Sequence, residues 1–311
     1  MKASISDVPV LLLIFNRPNL TQKVFQQIRQ ARPRQLFIAA DGPRYNVPED
    51  KELCAQARQI VDMVDWECQI HTLFRDTNLG CKRAVSSAID WFFEHIEAGI
   101  ILEDDCLPHP TFFRFCAELL NRYRDDERIM VISGTNFLLG RRFTPYSYYF
   151  SRYNGIWGWA TWRRAWQHYD SEMKQWPTLR STSWLLDIHG DRVIATYWRN
   201  IFDRTYAGKI DSWGYQWLFS CWAQNGLAIH PEEVNLVSNI GFGKAATHTK
   251  GNESRVANLP VAAMQYPLRH PSFVVRCREA DSLTFNIAFR SVSQSSRFKR
   301  VLRKLVSKLM G

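Results

Sequence analysis

The run at positions 99–105, Gly-Ile-Ile-Leu-Glu-Asp-Asp, is the feature that most constrains the fold of this chain. Its first four residues are apolar or small, and three consecutive carboxylates follow: Glu103, Asp104 and Asp105. A short apolar run of this kind is typical of a buried strand in a parallel sheet. Because ligands of open α/β sheets bind beyond the carboxyl ends of the strands, we expect the three acids to face a ligand.

Three adjacent carboxylates repel one another unless a cation neutralises them. Oxygen ligands of this kind suit Mg²⁺ or Mn²⁺. The acids therefore predict a divalent metal held at a strand end. An acidic loop that merely follows a strand is the alternative interpretation.

Strand and helix signals alternate through the first 136 residues. This alternation predicts an α/β fold with a mostly parallel sheet and helical crossovers. The predicted strands cover 8–15, 35–40, 69–74, 99–105 and 129–133, and the predicted helices cover 20–28, 53–64, 82–96 and 112–123.

The composition of the chain changes after about residue 135, where aromatic residues become frequent. Ten of the 12 tryptophans fall between positions 157 and 222. Most of them suit an aromatic core, but glycines around Trp157 and Trp159 make a poor helix or strand interior. We expect this segment to be a loop that presents flat faces for stacking against sugar rings. We include Trp213 with Trp157 and Trp159 as candidate acceptor-binding residues.

Charge and cysteine usage narrow the class of protein. The formal charge is +10, and seven of these positive charges lie in residues 290–311, which contain no acid. The excess therefore belongs to a tail, and no nucleic-acid groove is predicted. The seven cysteines include no Cys-x-x-Cys pair and are expected to be reduced thiols.

Membrane and export signals are weak in this sequence. No stretch approaches the roughly 20 apolar residues of a spanning helix. The apolar run at 8–15 has no small-residue cleavage site after it. We expect a cytoplasmic protein with no transmembrane anchor.

Polar residues follow four of the predicted strands: Asn16 and Arg17, then Asp41, then Asn78 with nearby Lys82, then the three acids at 103–105. Each is ordinary turn chemistry when taken alone. Their repetition at successive strand ends predicts one shared site at an edge of the sheet.

With these motifs the chain resembles the GT-A glycosyltransferases, and among them bacterial relatives of the N-acetylglucosaminyltransferase I group. The resemblance is best over the first 136 residues. It implies a GT-A type, Rossmann-like, mostly parallel sheet flanked by helices, with a mixed acceptor-binding C-terminal half. It also implies that Asp105 binds Mn²⁺ or Mg²⁺, with Glu103 and Asp104 near the ribose and sugar of a nucleotide-sugar donor.

The resemblance assigns further donor contacts at the strand ends. Arg17, next to Asn16, and Asp41 match nucleotide-contacting positions. Asn78 and Lys82 correspond to positions near the base or the phosphates.

The resemblance also suggests a catalytic base in the second half of the chain. Asp211 precedes a predicted helix, where a helix N-cap is the alternative interpretation. Inverting enzymes of this family place a carboxylate from this region beside the acceptor hydroxyl. Asp203 and Asp170 are weaker candidates for the same role.

A glycine-rich polar segment at 235–243, followed by 246–249, suits a loop that folds over a diphosphate. A late histidine ligates the metal in many GT-A enzymes, which makes His248 a candidate partner of Asp105. A solvated loop histidine is the alternative interpretation.

These inferences predict a metal-dependent, inverting glycosyltransferase that moves a sugar, with a UDP-sugar such as UDP-GlcNAc as the favoured donor, to a glycan or lipid-linked glycan in cell-surface polysaccharide synthesis. Residues 1–136 form the donor half, 137–289 the acceptor and catalytic half of the same domain, and 290–311 a basic tail. A sugar-nucleotide nucleotidyltransferase and a non-catalytic glycan-binding protein are the alternatives. The segment after the first strand, Phe-Asn-Arg-Pro-Asn, lacks the glycines of a nucleotidyltransferase phosphate loop, and no G-x-G-x-x-G occurs for an oxidoreductase.

The C-terminal residues 297–309 show apolar side chains at helical spacing with basic residues between them. Two interpretations are open. The helix docks on its own domain, or it lies on an anionic membrane surface on the cytoplasmic side.

Overall fold

The structure is a computed structural model that describes residues 5–242 and 256–290. Within these ranges ten strands form: β1 Val10–Ile14, β2 Gln35–Ala40, β3 Gln69–Phe74, β4 Ala98–Glu103, β5 Cys106–Pro108, β6 Ile129–Ser133, β7 Tyr148–Ser151, β8 Trp159–Trp162, β9 Leu227–Pro231 and β10 Val237–Asn239.

The described helices are α1 Pro18–Ala31, α2 Glu49–Arg58, α3 Gly80–His95, α4 Thr111–Arg122, α5 Arg163–Trp166, α6 Trp176–Arg180, α7 Trp184–His189, α8 Arg192–Tyr206, α9 Gly214–Ala223 and α10 Arg278–Thr284. Short 3₁₀ segments cover Ile5–Asp7 and Gln59–Met63, and a π-helical turn covers Phe285–Phe289.

The predicted elements of the first 136 residues are present. The strands β2, β3 and β6 have the predicted bounds, β1 is three residues shorter, and β4 begins one residue earlier and ends two residues earlier than predicted. The helices begin one to four residues earlier than predicted, because propensity and periodicity locate a helix better than they locate its ends.

The large sheet has the order β3-β2-β1-β4-β8-β6-β9-β7. Six of its eight strands point the same way, and only β8 and β7 run against them in the described chain. The α/β class with a mostly parallel, Rossmann-like sheet flanked by helices is therefore confirmed. A second, two-stranded sheet pairs β5 with β10.

The sheet is covered by helices on both faces because its strands carry apolar side chains on both sides. In β1, Leu12 belongs to a core cluster with Phe25 of α1. Its neighbour Leu11 faces the other side and belongs to a cluster with Phe92 of α3. Such burial on both faces is typical of parallel sheets and explains the continuous apolar runs in the sequence.

A third cluster lies among α6, α7, α8, α9 and the π-helical turn. It is built largely from aromatic side chains, including Trp176, Trp198, Phe202 and Trp222, all of them buried. No helix within the described residues combines the length and apolar character that a bilayer crossing requires.

Candidate active site

A cavity of about 840 Å³ opens at the carboxyl ends of β1 to β4. Its lining includes one residue or more from the segment that follows each of these strands: Arg17, Asp41, Asn78 and Asp105. The chain proceeds from β1 outward to β3 and then crosses back to place β4 on the other side of β1. A crevice at such a reversal of strand order is the general binding position of open α/β sheets. The volume lies within the range of small-molecule sites, roughly 300–1,000 Å³.

The guanidinium of Arg17 joins the two aspartates that follow β4. Its Nε donates to Asp104 Oδ2 at 3.3 Å, its Nη1 donates to Asp105 Oδ2 at 2.9 Å, and its Nη2 donates to Asp104 Oδ1. The backbone N–H of Phe15 also donates to Asp104 Oδ2 at 3.3 Å. Asp104 is only 2% exposed, and a carboxylate this deeply buried requires such pairing.

Glu103, the last residue of β4, adds a third carboxylate to the cavity wall. Burial raises the pKa of Glu103, and the negative charges of Asp105 and Asp104 raise it further. Burial also raises the pKa of Asp104, although the charge of Arg17 opposes that shift. The cluster brings three carboxyl groups to one guanidinium, and an additional cation would favour their charged forms.

The surroundings of Asp105 fit a hard divalent cation. The sheet of β5 and β10 brings Asn239 to Asp105, where its Nδ2 donates to Oδ1 at 3.4 Å. A Cβ at Gly241 would lie 2.2 Å from Asp105 Oδ2, so only glycine lets the chain at position 241 pack this closely against the carboxylate. The carboxylate oxygens here are the donors that Mg²⁺ and Mn²⁺ prefer.

Across residues 5–242 and 256–290, no three His, Cys, Asp or Glu side chains are arranged to hold an ion together. An ion at Asp105 would therefore take further ligands from phosphate oxygens and water, which is usual for Mg²⁺. His248, the second predicted ligand, lies outside the described residues.

The carboxylate of Asp41 organises the wall of the cavity beside β2 and β3. It accepts the backbone N–H groups of Leu79, at 2.9 Å from Oδ1, and of Gly80, at 3.2 Å from Oδ2. Asn78 Nδ2 donates to Asp41 Oδ2 at 2.9 Å. Asp41 thereby satisfies N–H groups at the start of α3 that have no partner within the helix. Its predicted role as a nucleotide contact stays a prediction, but most of its acceptor capacity is already used.

Two arginines that the sequence analysis did not select also line the cavity, Arg44 and Arg75. Arg44 pairs with Asp50, its Nε lying 2.6 Å from Oδ2, and Asn16 Nδ2 donates to Oδ1 of the same carboxylate at 2.7 Å. Arg75 Nη2 donates to Ser87 Oγ at 2.8 Å. Both arginines closely follow a strand end, which is the signal that could have identified them.

The predicted base Asp211 lies in the loop between α8 and α9 and lines the cavity. Burial raises the pKa of the Cys81 thiol to about 12, and the negative charges of Glu103, Asp211 and Asp105 contribute to that shift. Asp211 therefore lies near the same thiol as Glu103 and Asp105.

Helix α9 begins at Gly214, with Trp213 as the residue before it, so Asp211 does not cap this helix. Its side chain has no hydrogen-bond or ion-pair partner in the described part of the chain. The weaker candidates differ in this respect, because Asp170 accepts N–H groups of the turn that follows it and Asp203 pairs with Arg180 at 2.6 Å. Neither of them lines the cavity.

The three candidate acceptor tryptophans occupy different environments. Trp157 is half-buried, lines the cavity and contacts Phe137 and Phe242 edge to face, with ring centroids 5.4 and 5.6 Å apart. Trp213 contributes to the wall but is 3% exposed.

The expectation for Trp159 does not hold in this structure, because it lies in β8 with no exposed surface. Its ring packs against Trp213 and Trp217, with centroids 5.7 and 6.0 Å apart. The loop ends at Gly158, so Trp159 begins a central strand and its indole is part of the core.

Lys82 is likewise not brought to the cavity. Its Nζ lies 3.6 Å from Glu172 Oε1 on the surface of α3. The remaining predicted donor contacts, Asn16, Arg17, Asp41, Asn78, Glu103 and Asp104, all line the cavity.

The sequence matches no protein-family model, and a comparison with curated proteins gave no significant match. A comparison with solved structures gave distant matches. The mannosyltransferase PcManGT from Pyrobaculum calidifontis, solved with GDP-Man and Mn²⁺, is 12% identical with a TM-score of 0.34, over 50% of this chain and 44% of that one.

A UDP-glucose pyrophosphorylase solved with UDP-glucose is 10% identical with a TM-score of 0.39, over 75% of this chain and 93% of that one. HddC from Yersinia pseudotuberculosis is 9% identical with a TM-score of 0.29, over 50% of this chain and 77% of that one. The first two structures represent both enzyme classes considered from the sequence, a glycosyltransferase and a nucleotidyltransferase.

Proposed function

We propose that this protein is a metal-dependent glycosyltransferase that uses a nucleotide diphosphate sugar. One observation carries the proposal: a single cavity at the carboxyl ends of β1 to β4 gathers Asp105, which suits a cation, and Asp211, which has no partner in the described chain. A sugar transfer from a diphosphate requires both functions, charge stabilisation at the leaving group and a base at the acceptor.

Residues of the donor half hold the nucleotide sugar in this proposal. Asp105, with His248 as a second candidate ligand, holds Mn²⁺ or Mg²⁺. When bound, the ion offsets the charge that develops on the departing diphosphate. Arg17, Asn16 and Asn78 supply polar contacts along the cavity wall.

Asp211 accepts the proton of the acceptor hydroxyl. As the acceptor oxygen bonds to the anomeric carbon, the bond from that carbon to the diphosphate oxygen breaks, and the diphosphate leaves with the electron pair. Attack on the face opposite the leaving group inverts the anomeric centre. Trp157 offers a half-buried aromatic face to a glycan or lipid-linked glycan acceptor.

The donor that we propose is a UDP-sugar such as UDP-GlcNAc, in the synthesis of cell-surface polysaccharide. The test incubates the full chain with a panel of nucleotide sugars and Mn²⁺, with and without a chelator, and measures the free nucleoside diphosphate. Metal-dependent release of UDP from a UDP-sugar is expected. Formation of a nucleotide sugar from UTP and a sugar phosphate, with release of pyrophosphate, would instead identify a nucleotidyltransferase.

A thermal-shift series with the same nucleotide sugars separates a catalyst from a binding protein. Ligands that bind the native state raise the melting temperature whether or not they react. A nucleotide sugar that stabilises the protein but is never turned over, with any acceptor glycan offered, would favour the non-catalytic alternative.

We further propose that the protein associates with the cytoplasmic face of a membrane through residues 297–309, which lie outside the described residues. Apolar burial and attraction of basic side chains to anionic lipid add for such a segment. Sedimentation with anionic vesicles at low salt is the test. The full chain should bind and a chain ending at Ser296 should not, whereas equal binding would favour a helix docked on its own domain.

A further inference from the structure

The guanidinium of Arg17 lies between Asp104 and Asp105 and pairs with both. It uses three of its N–H donors on two carboxylates, two on Asp104 and one on Asp105. It is the one residue in the described ion pairs that contacts both aspartates. Arg17 therefore acts as the internal counter-ion of the acidic turn.

The two halves of this ion pair differ in strength. Asp104 is 2% exposed, is held by two guanidinium contacts and accepts a third hydrogen bond from Phe15. The bond to Asp105 is single, at 2.9 Å between Nη1 and Oδ2, and the Asp105 side chain is 14% exposed. Because two hydrogen bonds hold the guanidinium on Asp104, it can release its single bond to Asp105 while it stays bound to Asp104.

The carboxylate oxygen that Arg17 holds belongs to a side chain that lines the cavity. Asp105 Oδ2 accepts from Arg17 Nη1, and the Asp105 side chain lines the cavity, with the backbone of Gly241 packed closely against it. A cation that takes Asp105 Oδ2 as a ligand must therefore compete with Arg17 for the same lone pairs.

We propose that Arg17 is a positioning residue that exchanges partners: a divalent cation displaces Nη1 from Asp105, and the freed N–H turns toward the diphosphate in the cavity while Asp104 retains the rest of the guanidinium. This inference rests on the proposed function. It makes metal and donor binding depend on each other. Metal alone must break an ion pair, and the diphosphate alone meets an arginine that is already engaged.

Such coupling is reciprocal, because each ligand changes the affinity for the other by the same factor. Its signature is a contribution of Arg17 to diphosphate binding that exists only when metal is present. Arg75 provides a matched control, because it lines the same cavity and carries the same charge but pairs with Ser87 instead of the acids.

The test measures binding, and not turnover, for the wild type, Arg17→Gln and Arg75→Gln. Mn²⁺ affinity without nucleotide is measured by electron paramagnetic resonance, and UDP affinity by calorimetry with and without Mn²⁺. For Arg17→Gln we expect Mn²⁺ alone to bind more tightly, by about tenfold, because a charge-assisted hydrogen bond no longer competes. UDP should bind about tenfold more weakly with Mn²⁺ but nearly as in the wild type without it.

Arg75→Gln should change UDP affinity by the same factor with and without Mn²⁺. Because Arg17→Gln leaves the buried Asp104 without its cation, Arg17→Lys is measured beside it. Lysine keeps the charge but cannot bridge both carboxylates, so intermediate values are expected. Thermal unfolding of each variant confirms that it is folded.

Two results would overturn the exchange alone. Arg17→Gln could bind Mn²⁺ more weakly than the wild type, or it could weaken UDP binding equally with and without Mn²⁺, as expected for Arg75→Gln. If the wild type binds Mn²⁺ neither alone nor with UDP, the metal dependence in the proposed function is wrong as well.

Discussion

The two halves of the chain use their distinctive residues in opposite ways. In residues 1–136 the polar side chains after the strands converge on one cavity. In residues 137–289 the tryptophans mostly contact one another, as Trp159 does with Trp166, Trp213 and Trp217. A strand end fixes where its next residues lie, whereas an aromatic residue type does not reveal whether a ring faces a ligand or a core.

The cavity nevertheless draws on both halves. Asp211 and Trp157 of the second half lie in loops and reach the lining, while the strand residue Trp159 does not. The difference lies in the element and not in the residue type. Loops at the rim of a rigid sheet carry the site in each half.

The largest effect is expected at a strand end of the first half. Asp105→Ala should lower turnover by at least about 10³-fold, since metal stabilisation of developing charge contributes several kcal/mol. The fold should persist because no core atoms are removed. Steady-state assays at saturating Mn²⁺ test this, with Asp76→Ala as the control, an exposed aspartate shortly after β3. Activity of Asp105→Ala equal to that of Asp76→Ala would remove Asp105 from the site.

The next largest loss of turnover is expected at a loop residue of the second half. Asp211→Asn should preserve donor binding but lower turnover about 10²- to 10⁴-fold, the usual contribution of a general base. Asp203→Asn, which alters a carboxylate paired with Arg180, should leave turnover near the wild-type value. Normal turnover with weakened UDP binding in Asp211→Asn would make Asp211 a donor contact.

Substitutions of Trp159 and Trp157 should affect different properties, the stability of the protein and the binding of the acceptor. Trp159→Ala should lower the free energy of unfolding by about 3–5 kcal/mol, because the removed ring is fully buried. Trp157→Ala should cost less stability and mainly raise the KM for the acceptor, since its half-buried ring lines the cavity. Urea unfolding and acceptor kinetics measure the two effects. Equal losses of stability in both variants would remove the distinction between core and site.

A smaller effect should appear in the aromatic core as the pH falls. Burial, with the positive charges of Arg276 and Arg152, lowers the pKa of His189 to about 3. In the unfolded chain this imidazole binds a proton near pH 6.5. Burying the neutral ring therefore costs no stability above that pH, and the free energy of unfolding decreases as the pH falls from 6.5 toward 3. The loss amounts to at most about 1.4 kcal/mol per pH unit.

His189→Leu removes the titrating imidazole without breaking a hydrogen bond, because both ring nitrogens lack hydrogen-bond partners among the described atoms. The free energy of unfolding of the variant should fall less steeply between pH 6.5 and 4 than that of the wild type. Parallel curves for the two proteins would show that His189 titrates normally.

The first half of the fold was predictable because its strands are buried on both faces and its helices are amphipathic. The continuous apolar run of β2 and the periodic apolar face of α1 are local signals. The strand β8 gave no such signal, because its four residues, Trp-Ala-Thr-Trp, are identified as a strand only by pairing with β4 and β6. Tertiary pairing of this kind is not encoded in a local pattern.

Site residues were predictable from the sequence where they directly follow a strand, because the end of the strand fixes their position. Arg17, Asp41 and Asp105 lie in the cavity for that reason. The sequence did not predict contacts between distant segments. Examples are the close packing of Gly241 on Asp105 and the hydrogen bond that Asn78 donates to the Asp41 carboxylate. These contacts depend on the arrangement of segments far apart in the chain.

The position of β8 also bears on cooperativity. Residues 159–162 run between β4 and β6, so two strands of the first half meet only through a strand of the second. A fragment ending at residue 136 would leave β4 with one unpaired edge and β6 without either of its partner strands, which favours aggregation over independent folding. Residues 1–136 and 137–289 are therefore expected to fold as one unit, because the central strand β8 completes the sheet that carries the cavity.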